Sequence, residues 1–166
     1  MKKLLLLCLS VFAVATTVVS CSKDDDNENK QQNSEVLNSN SADEIQKAVL
    51  DGVWQLEKWR EGSETDFKNA ETYGVYKFLD TKNREIYLMK NVLYSTRPYK
   101  ITTLDGKSVL LTYSNQEEYD KNEPNTIYDV SIENGLLKIA SRTSNYAELL
   151  RKYNTIDETK DLPPSD

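Results

Sequence analysis

The chain of 166 residues carries 27 acidic residues against 21 basic ones, a formal charge of −6, with two cysteines and no histidine. So acidic a chain lacks the cationic footprint that nucleic acid requires. Without histidine it also lacks the commonest general base and metal ligand at neutral pH.

The N-terminus reads as an export signal. Met1-Lys2-Lys3 is a short basic start, and Leu4 to Val19 follows without a charge. That run is shorter than the roughly 20 apolar residues of a membrane span, and it matches the first two regions of a secretory signal peptide. It ends at Val18-Val19-Ser20-Cys21, which resembles a bacterial lipobox. The resemblance implies that the Cys21 thiol receives a diacylglyceryl group, that residues 1–20 are removed, and that the new amino terminus is acylated (palmitate being a usual chain). Two other readings compete. An uncleaved anchor would want a longer run and a stop-transfer flank. A disulfide would have to use Cys8, which lies inside the segment to be removed. Each buried methylene contributes about 0.8 kcal/mol, so two or three acyl chains would hold the protein to a membrane. Loss of Lys2 and Lys3 leaves 19 basic residues against 27 acidic ones, a balance of −8, so acyl chains and not charge must supply that affinity.

Ser22-Lys23-Asp24-Asp25-Asp26 resembles the acidic tag beside the lipidated cysteine of surface-displayed lipoproteins in some Gram-negative bacteria. It favours an outer-membrane, surface-exposed location over the periplasmic leaflet, the alternative being a solvated tether. Residues 21–40 thus form a lipidated cysteine and a disordered polar linker. A single domain follows over 41–156, large enough to bury a core without staples, and 157–166, with Pro163-Pro164, is a tail.

Within the domain, Ser41 with Glu44 three residues later fits a capping box. Ile45, Ala48 and Val49 then predict a short helix over 42–50, stopped by Asp51-Gly52. Strands follow. Val53 to Trp59 is the first, Tyr73 to Leu79 carries Tyr76 and Phe78 two apart, and Arg84 to Met89 returns after the turn at 81–83. Val92 to Ser95 is a weak piece before Thr96-Arg97-Pro98. Tyr99, Ile101 and Thr103 alternate up to Asp105-Gly106, a strong hairpin signal, and Val109, Leu111 and Tyr113 run back. Residues 115–125 are a polar loop. Tyr128, Val130 and Ile132 alternate into the Asn134-Gly135 turn, and Leu137 and Ile139 return. Tyr146, Leu149, Leu150 and Tyr153 have helical spacing, yet the same residues suit a closing strand; both readings stand, the barrel topology favouring the strand.

Seven or eight short strands at this spacing predict an antiparallel sandwich or barrel. Gly52-Val53-Trp54-Gln55-Leu56 goes further. Gly-x-Trp-x-Leu resembles the opening of the first strand in lipocalins and lipocalin-like bacterial lipoproteins, and Tyr99-Lys100-Ile101 and Tyr128-Asp129-Val130 look like later strands of that family. The resemblance implies an all-β fold, a small antiparallel up-and-down (lipocalin-like) β-barrel with a short N-terminal helix, whose base Trp54 closes. The chain departs from the family in lacking its disulfide and its later motifs.

The folded segment offers little to catalysis. Ser-x-x-Lys does not occur there in a helical setting, and Glu117-Glu118 lies in a polar stretch that reads as a solvated face. A glycosidase needs two carboxylates walled into a deep cleft. Asp120-Lys121-Asn122-Glu123 spaces oxygen ligands as calcium loops do, but the required glycine and distant glutamate are absent, so no metal and no cofactor is expected. Binding remains. By alternation Tyr76, Phe78, Tyr99, Ile101, Tyr113, Tyr128 and Val130 face inward, as the lining of a cavity for a small apolar or amphiphilic ligand or as plain filling. In the second case the protein is an interaction or structural module acting through its outer surface.

Overall fold

The computed structural model describes residues 39–161. The signal peptide, Cys21, the Asp24–Asp26 run and residues up to 38 lie outside the described residues, as do 162–166. The elements are α1 (Ala42–Val49), β1 (Val53–Arg60), β2 (Lys68–Asn69), β3 (Val75–Phe78), β4 (Asn83–Met89), β5 (Val92–Leu104), β6 (Lys107–Thr112), α2 (Gln116–Lys121), β7 (Thr126–Glu133), β8 (Leu136–Ser141) and β9 (Ala147–Tyr153).

The sheet runs β1-β3-β4-β5-β6-β7-β8-β9, antiparallel throughout, and β9 returns to β1 in the register Val53↔Tyr153 to Arg60↔Ala147. Neighbouring strands are thus sequence neighbours, apart from the brief β2, which pairs with the far half of β1. This is the closed up-and-down barrel expected from the sequence, and closure leaves the barrel strands no free edge. The two dipeptide turns are built as their residues require: Asp105-Gly106 and Asn134-Gly135 all have positive φ, as a type I′ turn demands.

One end of the barrel is sealed. Ser41 caps α1 by accepting the Glu44 N–H, and Ile45 and Val49 bury against Trp54, Phe78, Tyr99, Leu110, Ile132, Leu137 and Leu150. Trp54 is fully buried, and its indole N–H donates to Val49 O at 3.2 Å, one of the carbonyls a helix end leaves free. Gly52 makes the turn between them. Its φ is +116°, and a Cβ there would stand 2.4 Å from Tyr153 O, so glycine is required by both conformation and space.

One open reading is decided as favoured, and four expectations change. Residues 146–153 resolve to the strand, because β9 satisfies β1 and β8 at once and a helix would leave both edges open. Val92 to Thr103 is one strand and not two. β5 pairs with β6 only from Tyr99 onward, so Pro98 falls at the margin of that ladder, where its missing N–H is tolerated. The stretch 115–125 holds helix α2, with Asn115 accepting the Glu118 N–H and Glu118 accepting from Ser114 N at 2.8 Å. The linker is ordered at its end, where Ser39 and Ile132 exchange both backbone hydrogen bonds at 2.9 and 2.8 Å. The tail docks as far as 161: Thr159 is buried against Tyr73, and Lys160 exchanges two hydrogen bonds with the Gln55 side chain.

Candidate binding site at the unsealed end of the barrel

Strand register decides which side chains share the interior. Trp54 pairs with Tyr76, Tyr76 with Ile86 and Ile86 with Ser95. Arg84 pairs with Phe78 on one side and with Arg97 on the other. Ile101 pairs with Leu110, Leu110 with Tyr128 and Ile139 with Glu148. Because side chains alternate along a strand, these residues all occupy the inner face.

That face has two halves. Near α1 it is apolar and packed. Phe78 and Tyr99 meet edge to face, ring centroids 4.9 Å apart, and Val130 lies with Ile132, Leu137, Ile139 and Leu150. Ile101 packs against this cluster from its margin. The Tyr99 hydroxyl donates to Asp80 O and accepts from Gln46 Nε2 at 2.7 Å, so it serves the floor and not a ligand. Burial pushes its pKa up to about 12.

β9 begins at the other end, since its last residue, Tyr153, pairs with Val53 just after α1. There the interior turns polar. Two cavities flank Arg84 and Tyr128. The first, about 160 Å³, is lined by Tyr76, Arg84, Tyr128, Ile139, Tyr146 and Glu148. The second, about 170 Å³, is bordered by Arg84, Ile86, Tyr94, Ser95, Arg97, Thr112 and Tyr128 among others. Each has room for roughly five waters at about 30 Å³ apiece, well beyond a packing defect.

Glu148 anchors the first cavity. Tyr76 donates to both its oxygens at 3.1 Å, and Tyr146 donates to Oε1. Burial raises the Glu148 pKa above its ordinary value, and the two hydroxyls and Arg84 pull the other way. Burial and then the Glu148 charge raise Tyr76 well above its ordinary value, and the same causes raise Tyr146. Both tyrosines are therefore fixed donors. The Arg84 guanidinium stacks on the Tyr76 ring, 4.9 Å from its centroid. It is 8% exposed, and its buried Nε has no hydrogen-bond partner. Ser95 Oγ is likewise buried and unpartnered.

Of the seven residues expected to line a cavity, the structure thus brings Tyr76 and Tyr128 to the polar ones and sets Phe78, Tyr99, Ile101 and Val130 in or against the packed half, where Phe78 also borders a depression beside Gly52 and Val130 the outer one around Lys107. Tyr113 is a correction. It touches the margin of the second cavity, but its ring lies in a separate outer cluster with Val109, Leu111, Ile127 and Tyr119 of α2. Its centroid is 5.1 Å from that of Tyr119. The reason is parity: Leu110 faces inward opposite Ile101, so odd-numbered residues of this strand face outward. The inward face of β6 carries Ser108, Leu110 and Thr112, while the more apolar face of Val109 and Leu111, continued by Tyr113, points outward, so apolar alternation pointed to the wrong side.

Arg84, Arg97 and Glu148 were missed, although a signal existed. Each keeps phase with inward apolar neighbours, Arg84 with Ile86, Arg97 with Tyr99, and Glu148 with Leu150.

A wider depression, about 480 Å³, lies elsewhere, on the outer face around Lys107, Asp129, Glu133 and Lys138. Most of its charges answer one another, Lys107 with Asp129 at 3.8 Å and Lys138 with Glu133 at 3.4 Å. Arg60, which also lines it, has a buried Nε without a partner, but its guanidinium rests on the Phe67 ring and donates to Thr65 O. Among the described residues no three of Asp, Glu and Cys gather as a metal site. No protein-family model, curated protein or solved structure matches the chain.

Proposed function

We propose that this protein is a non-catalytic binding lipoprotein of the lipocalin-like kind, tethered to the outer membrane of a Gram-negative bacterium through acyl chains on Cys21 and displayed at the cell surface. Its ligand is a small amphiphile taken at the unsealed end of the barrel. The observation that carries this reading is the division of the interior. The half near α1 is filled, whereas the half around Arg84 and Tyr128 is polar and hollow. The cavity for an apolar or amphiphilic ligand that the sequence suggested corresponds here to a polar one with apolar surroundings. Leu88, Met89, Val92, Leu93 and Tyr94 form an exposed apolar hairpin between β4 and β5, and Tyr94 itself borders the second cavity. Tyrosine suits such a place, because the ring packs on apolar surface and the hydroxyl orients a polar end.

The address is tested by mass spectrometry of membrane-extracted protein, which should show a lipid adduct on an N-terminal Cys21. A mature form starting elsewhere would remove the tether. Replacing Asp24, Asp25 and Asp26 by alanine should reduce protease access on intact cells if the acidic run directs display. Ligand binding is tested by nuclear magnetic resonance titration with hexanoate and hexanamide. Either should shift the amides of Tyr76, Tyr94 and Tyr128 and leave those of Ile132 and Leu137 in place. No shift with either probe would transfer the function to the outer surface, as an interaction module with a filled core.

A further inference from the structure

Arg84 is a cation placed where cations are costly. It is more than nine-tenths buried, and among the described residues it forms neither an ion pair nor a hydrogen bond. The nearby acid, Glu148, is felt by Arg84 only through space: it makes no ion pair with it, and its hydrogen bonds come from the Tyr76 and Tyr146 hydroxyls. Its cross-strand neighbour makes matters worse. Arg84 sits directly opposite Arg97 in the β4–β5 ladder, and like charges in that position repel. Among the described residues Arg97 also forms no ion pair, although carboxylates elsewhere pair with several lysines and arginines. Both arginines border the second cavity, together with the unpartnered Ser95 hydroxyl and Thr112, and no carboxylate lines it. Two arginines thus line a volume whose lining carries no carboxylate.

We infer that this cavity is a carboxylate site, taking the head of a small organic acid between Arg84 and Arg97. A guanidinium presents a planar fork of donors that matches a carboxylate in two parallel hydrogen bonds. The volume of about 170 Å³ limits the acid to a head and a few carbons, which Ile86 and Tyr94 cover. The inference rests on the amphiphile reading above and specifies its polar end.

The test uses the mature chain and isosteric probes. Hexanoate and hexanamide differ in charge and hardly in size, and acetate supplies the head alone. Hexanoate should bind at least 10-fold more tightly than hexanamide, shift the Arg84 Nε–H resonance, and be displaced by acetate. Arg84→Met should abolish this preference. Should that variant fail to fold, Arg97→Met, at a half-exposed position, should reduce hexanoate affinity several-fold and leave hexanamide unchanged. Equal binding of the two probes would overturn the carboxylate site and leave the amphiphile reading standing, whereas binding of neither would remove both.

Discussion

Replacing Trp54 tests the architecture at its most concentrated point. The side chain is fully buried, and it joins three elements: β1, which carries it, the floor cluster of Phe78, Tyr99 and Leu150, and α1, whose Val49 carbonyl accepts the indole N–H at 3.2 Å. Trp54→Ala removes the largest side chain of the floor and should cost about 3–5 kcal/mol. For a domain of this size that corresponds to a fall in melting temperature of roughly 12–20 °C. Trp54→Phe keeps most of the ring but strips Val49 O of its donor, and should cost about 1–2 kcal/mol. Urea denaturation followed by far-ultraviolet circular dichroism separates the two, with an unchanged m-value if both act on the native state. Hydrogen exchange adds a local reading: amides of α1 from Ile45 to Val49 should lose protection in Trp54→Ala before those of β7 and β8. A cost under about 1 kcal/mol for alanine, or equal costs for alanine and phenylalanine, would refute the claim that this residue seals the barrel and holds α1 to it.

Gly52→Ala should destabilise by at least about 1–3 kcal/mol, because φ is +116° and the added Cβ meets Tyr153 O; a neutral outcome by thermal denaturation would mean the turn relaxes. Glu148→Gln should change how stability depends on pH. Burial holds the Glu148 pKa above its ordinary 4.5, so the folded protein binds this proton more readily than the unfolded chain. Its contribution is most favourable below about pH 4.5 and is lost as pH rises from there through the folded pKa. Wild type should therefore lose stability relative to Glu148→Gln across that interval. Glu44, Asp51 and Asp80, whose pKa values are lowered, act with the opposite sign at lower pH and cancel in the comparison. Tyr119→Ala should loosen the outer cluster over Tyr113 and cost stability, while hexanoate binding stays within two-fold of wild type; a larger loss would tie α2 to the cavity.

The strands were legible wherever one face was apolar and the other polar, as in Tyr128, Val130 and Ile132, and wherever a turn demanded positive φ, as at Asn134-Gly135. Legibility failed where two local signals disagreed with a long-range one. Tyr146, Leu149, Leu150 and Tyr153 spell a helix by spacing, but closing the ladder between β1 and β8 outweighs that preference. Pro98 looked like a break because its neighbourhood in the β6 ladder is invisible from the chain itself. Tyr113 was misplaced because the apolar alternation of Val109, Leu111 and Tyr113 marks a buried face, and that face is buried on the outside, where Tyr119 of α2 covers it. The site was half legible. Tyrosine on an alternating face pointed to Tyr76 and Tyr128, whereas Arg84, Arg97 and Glu148 were passed over, because charged residues are seldom fully buried.

Those three charges are what separate this barrel from a simple filled one. An interior made wholly of the residues seen near α1 would be at least as stable, since exchanging buried charged groups for packed apolar ones of similar volume is often neutral or favourable. Glu148 recovers part of its cost through two tyrosine hydroxyls, so the Glu148, Tyr76 and Tyr146 group closes on itself. Arg84 recovers part through the Tyr76 ring, a contact of about 0.5–2 kcal/mol, and its buried Nε remains without an acceptor. The imbalance has a direction: the interior holds more donors than it uses, and they are gathered on the side of the second cavity. An acceptor arriving from outside would find them already positioned by the ladder between β4 and β5, with no rearrangement of the packed half. Folding thus rests on the floor around Trp54, and the proposed binding would rest on a cation held above it by register with a second one.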